Sequence, residues 1–68
     1  MTERFYVAFR REAHGGLETW IEDFATMDDA RESAESVVDD QEADSARLTA
    51  RGSDMDEIYA NGQWTAFS

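Results

Sequence analysis

The sequence predicts an α+β domain: a single antiparallel sheet of four to five strands with one helix packed on one face, in the order strand, strand, helix, strand, strand, strand. Three observations carry this. Apolar residues alternate from Arg4 to Arg11 at the period of a strand, the period changes to three and four from Met27, and Asn61-Gly62 sits between two further strand-like runs. At 68 residues the chain is one domain, spanning 1–68, because so short a chain buries only ~60% of the surface its unfolded form exposes.

In the first run Phe5, Val7 and Phe9 alternate with Tyr6, Ala8 and Arg10, which directs the first set to a core. The paired glycines Gly15 and Gly16 accept positive φ and predict a hairpin connection into a second strand, Leu17 to Phe24. From Met27 the residues Met27, Ala30, Ala34, Val37 and Val38 form one apolar stripe on a helix expected to end near Glu42. Thr26 is the expected N-cap, and Asp28 and Asp29 suit the positive end of the helix dipole. A third strand fits Ser45 to Ala50, followed by a polar loop from Arg51 to Asp56. Asn61-Gly62 supplies the two positive φ angles of a type I′ turn between Glu57–Ala60 and Gln63–Phe67. That turn pairs Tyr59 with Trp64 across the hairpin.

Sixteen acidic against six basic residues give a net charge of −10. All six cations are arginines: Arg4, Arg10, Arg11, Arg31, Arg47 and Arg51. So acidic a chain argues against direct nucleic-acid binding, since phosphate contacts need Lys and Arg. No apolar run reaches the ~20 residues that span a bilayer, and the N-terminus lacks a secretory pattern, so the expectation is no membrane and a cytoplasmic location. The absence of cysteine removes thiolate zinc sites and Cys nucleophiles. His14 is the one candidate base and falls in a predicted turn beside two glycines; no P-loop, GxGxxG or HExxH is present. Asp54, Asp56 and Glu57 lack the spacing of a calcium loop and read as a solvated loop. The expectation is a non-enzyme with no catalytic residues, no metal and no cofactor.

The pattern above background is the placement of acids on the helix. At about 100° per residue, Asp28, Glu32, Glu35, Asp39 and Glu42 fall opposite the apolar stripe and make a ridge ~21 Å long with a carboxylate about every 5 Å. Asp29, Asp40 and Asp44 flank it. Like charges at this spacing destabilise a helix by ~0.2–0.5 kcal/mol per pair, and only Arg31 is near enough to offset any of them. Such a ridge is suited to imitating a phosphate backbone and occupying a basic protein surface, with these eight acids as the candidate partner-binding set. Neutralising Glu32, Glu35 and Asp39 is expected to leave stability unchanged or to raise it at low salt.

The layout of an N-terminal hairpin (RFYVAFRR, GG, LETWIEDF), a capped helix (TMDDARESAESVV) and strands closing on NGQW resembles small phage-encoded inhibitors of bacterial defence, chiefly anti-CRISPR proteins. The resemblance covers nearly the whole chain in size and element order. It implies a stoichiometric inhibitor that blocks a DNA-binding or nuclease-recruiting surface of a CRISPR effector complex. No motif aligns residue by residue, so no contact residue is carried over. Two other readings use the same acids: an antitoxin-like or regulatory module binding a basic protein, and an acidic domain of a halophile whose charges serve hydration. Whether the chain is a monomer or a dimer stays open at this point.

Overall fold

A computed structural model describes residues 4–52 and 54–66. The elements are β1 (Phe5–Ala13), β2 (Gly16–Phe24), α1 (Met27–Asp39), β3 (Ser45–Ala50), β4 (Asp56–Ala60) and β5 (Gln63–Ala66), in the order expected. The strands form one antiparallel sheet ordered β2-β1-β3-β4-β5, with α1 across one face. Of the last expected strand, Phe67 lies outside the described residues.

The alternation in β1 buries Phe5, Val7 and Phe9 beneath the helix, where Val7 stands opposite Leu48 and Phe9 opposite Ala46 of β3. Phe9, Leu48 and Val7 are the largest fully buried side chains. Each contributes on the order of 1.5–3 kcal/mol by leaving water. The helix answers with Ala30 and Ala34, both at 0% exposure, so its backbone approaches the sheet closely and the sheet supplies the bulk. Trp20 on β2 stacks on Phe9 at 5.3 Å between ring centroids and closes the core on that side.

The helix starts as predicted. Thr26 is extended, and its Oγ1 accepts the Asp29 N–H at 3.2 Å, satisfying one of the free donors of the first turn. Its end differs: α1 stops at Asp39, three residues before Glu42. Gln41 takes a positive φ of 63°, its N–H donates to the Val38 carbonyl, and the Glu42 N–H donates to the Val37 carbonyl. This is a Schellman cap with glutamine where glycine is usual, so the stop carries no glycine signal in the sequence.

Asn61 and Gly62, at φ 55° and 79°, form the expected type I′ turn. Tyr59 faces Trp64 with ring centroids 5.1 Å apart. In the first hairpin only Gly15 uses a positive φ, at 98°, whereas Gly16 is already strand and pairs with Ala13. This corrects the expectation that both glycines form the turn. β1 pairs with β3 only from Phe5 to Arg10, so Arg11–Ala13 and Gly16–Glu18 project beyond the sheet as a two-stranded arm. The molecule measures 41 × 22 × 20 Å.

Candidate functional site

The eight acids proposed from the sequence divide into two groups by what they touch. Asp28, Asp29 and Glu32 are exposed on α1, Asp40 is exposed at its C-cap and Glu42 is exposed just beyond. Among the described residues none of these five carboxylates pairs with a cation. Asp29 and Glu32 line a shallow depression on the helix with Ser33, Ser36 and Val37. No basic residue occupies the last turn, so Asp39 and Asp40 stand at the negative end of the helix dipole, where a cation would be the stabilising choice.

Glu35, Asp39 and Asp44 are engaged within the fold, and the continuous ridge of five is corrected accordingly. Glu35 Oε2 accepts the Trp64 indole N–H at 2.8 Å, and Asp39 Oδ1 accepts the Tyr59 hydroxyl at 2.9 Å. Both acids lie on the helix flank facing β4 and β5. Asp44 bonds to β1 twice: its N–H donates to the Arg10 carbonyl and its Oδ2 accepts the Glu12 N–H, each at 2.7 Å. Glu42 is displaced from the ridge by the early helix end. Neutralising Glu32, Glu35 and Asp39 together therefore also changes the acceptors of the Trp64 indole and the Tyr59 hydroxyl, so its effect on stability is not relief of repulsion alone.

Arg31 also turns inward, away from the exposed acids. Its guanidinium reaches both Glu57 carboxylate oxygens, at 2.9 and 3.2 Å, and lies 4.7 Å from the Trp64 ring centroid. Arg31, Glu35, Glu57, Trp64, Tyr59 and Asp39 thus form one polar seam between α1 and the β4–β5 hairpin. The sequence holds a faint signal for it: buried Tyr and Trp need partners for their polar tips, and a helix flank of alternating charge provides them. The hydrogen bond to Asp39, with burial and the charges of Asp39 and Glu35, raises the Tyr59 pKa above the ordinary tyrosine value.

On the opposite sheet face, Arg47 binds Asp56 through Nε at 2.8 Å and Arg4 binds Asp23 at 2.6 Å. The Arg47 hydrogen bond lowers the Asp56 pKa, and both guanidinium groups are held more firmly protonated. Of the three acids considered for a cation, Asp56 and Glu57 lie in β4 and not in a loop, and are bonded to Arg47 and Arg31; Asp54 alone is in the loop, exposed. Among the described residues no group of three or more His, Asp or Glu is placed to hold a metal. His14 is exposed in the β1–β2 turn. No described helix is long and apolar enough to cross a membrane.

No protein-family profile, curated protein or solved structure matches this chain.

Proposed function

We propose that this chain is a non-enzymatic acidic binding protein whose α1 surface occupies a basic, phosphate-binding surface of a partner protein. The partner suggested by its resemblance to anti-CRISPR proteins is a CRISPR effector complex. The observation that carries the reading is the set Asp28, Asp29, Glu32, Asp40 and Glu42, five exposed carboxylates with no cation beside them among the described residues. Repulsion along α1 and the acids at its C-terminal end both oppose helix stability. A binding role accounts for retaining them: mutual repulsion is relieved when a basic surface arrives, and complementary charge speeds the encounter.

The test is titration of the chain into purified CRISPR effector complexes while target-DNA binding is followed. DNA binding should be lost near one equivalent, and inhibition should weaken as salt is added. The variant Asp28→Asn, Glu32→Gln, Asp40→Asn spares Glu35 and Asp39, so it should fold normally yet bind about tenfold or more weakly. Inhibition that persists far below one equivalent would contradict the non-enzymatic reading. Unchanged inhibition by the triple variant would remove the acidic surface from the mechanism.

A further inference from the structure

The free edge of the sheet at β2 carries an inference independent of the acidic helix face. Three hydrogen bonds, two to backbone partners and one to the Asp44 carboxylate, fix which way the β1 peptide groups point. The Arg10 carbonyl accepts from Asp44, the Glu12 N–H donates to Asp44, and the Arg4 carbonyl accepts from Arg51. Even-numbered β1 residues therefore turn toward β3 and odd-numbered ones toward β2, because a ladder alternates residue by residue. Through the β1–β2 register, Gly16, Glu18, Trp20, Glu22 and Phe24 bond to β1. That leaves Leu17, Thr19, Ile21 and Asp23 with N–H and C=O groups pointing outward along a nine-residue edge.

The same edge holds Leu17 at 53% and Ile21 at 70% exposure, the two exposed large hydrophobic residues among those described. They share the sheet face away from α1 and lie symmetrically about Thr19. We propose that β2 pairs antiparallel with β2 of a second copy around a two-fold axis at Thr19, joining two five-stranded sheets into one of ten. In this register Thr19 faces its own copy and each Leu17 faces the other copy's Ile21. All three pairs use outward backbone groups, which gives six hydrogen bonds. On the helix side Glu18 faces Trp20 and Glu22 faces Gly16, so no two carboxylates stand directly opposite. A two-fold axis at Glu18, Trp20 or Glu22 would oppose carboxylates directly, which disfavours pairing. An axis at Ile21 avoids this but leaves Leu17 facing Ala25.

Each copy carries a charge of −10, so added salt should tighten this dimer, opposite to its expected effect on binding a basic partner. Sedimentation should give twice the 7.7 kDa chain mass at high protein concentration. Association should strengthen roughly tenfold as salt rises from about 0.05 to about 0.5 M. Thr19→Pro, which removes an outward N–H that β1 does not use, should be monomeric with an unchanged circular dichroism spectrum. Because the chain has no cysteine, single-cysteine variants read the register directly. Thr19→Cys should oxidise to a disulfide-linked dimer, the paired Cα atoms being about 5.5 Å apart. Leu17→Cys and Ile21→Cys should link to each other when mixed but not to themselves, since each is about 13–14 Å from its own copy. A wild type that stays monomeric at high concentration and high salt overturns the proposal, as does self-linking by Leu17→Cys or a dimer unaffected by Thr19→Pro.

Discussion

The two flanks of the sheet are held to the helix by different chemistry. On the β2 flank, Trp20 stacks on Phe9 and Phe24 packs against the core edge, while the rest of the nine-residue strand is exposed. The β5 flank is only four residues long, yet Trp64 and its neighbour Tyr59 are bonded to Glu35 and Asp39, and Arg31 bridges to Glu57. A short outer strand has little area to bury, so directional polar bonds hold it. A long strand already bonded along its whole length to a central partner can leave its outer edge open. Acids that would otherwise only repel one another thereby gain a structural role on one side of α1, while those on its outer side remain unpaired.

Removing the apolar anchor should have the largest effect. Phe9→Ala takes away a ring at 1% exposure and the support beneath Trp20, and should cost about 3–5 kcal/mol in urea unfolding. For a domain this small that is most of the stability, so a folded variant with a near-normal midpoint would mean the core is centred elsewhere. Next come the turns. An added Cβ at Gly62 or Gly15 meets no atom within 4 Å, so valine at either position is penalised by backbone strain alone, about 1–2 kcal/mol. Gly62→Val should lower the melting temperature, because β5 depends on that turn. Gly15→Val should lower it less, since the projecting arm can fray while Phe5–Arg10 stay paired with β3.

Trp64→Phe keeps a ring under Arg31 but removes the indole N–H that Glu35 accepts, and should cost about 1 kcal/mol. Equal loss from Trp20→Phe would erase the proposed difference between the flanks. The smallest effect is a titration. Tyr59 has a raised folded pKa, so its contribution is complete below the unfolded value of about 10 and is lost as pH rises through the higher folded value. In a Tyr6→Phe background, ultraviolet absorbance should place the Tyr59 midpoint above the ordinary tyrosine range, and Asp39→Asn should bring it down. For Asp56 the sign reverses: its folded pKa is lowered by Arg47, so its contribution is present above the unfolded value and lost as acid carries the pH down through the folded one.

Elements with a strong local rule were legible in the sequence. Phe5, Val7 and Phe9 showed their face by alternation, Thr26 and Asp29 showed the helix start, and Asn61-Gly62 fixed the register that sets Tyr59 against Trp64. What escaped depends on neighbouring layers. Angular position around α1 placed Glu35 and Asp39 away from the apolar stripe, but it does not say how far the sheet reaches up the helix flank. The β4–β5 hairpin reaches far enough for the Tyr59 hydroxyl and Trp64 indole to meet these acids. The helix end escaped for another reason, since Gln41 adopts the conformation that glycine usually marks. Of the acidic surface, the residue types and exposed outer face were readable, but its division into bonded and unbonded carboxylates was not.

The elongated outline of the molecule also affects how it moves through water. A body 41 Å long and about half as wide experiences more friction than a sphere of the same mass and tumbles more slowly end over end than about its long axis. On a sizing column a single chain will elute early, ahead of compact standards of 7.7 kDa. Elution volume alone would therefore mistake elongation for assembly, and the mass must come from scattered light or sedimentation equilibrium, in which shape cancels.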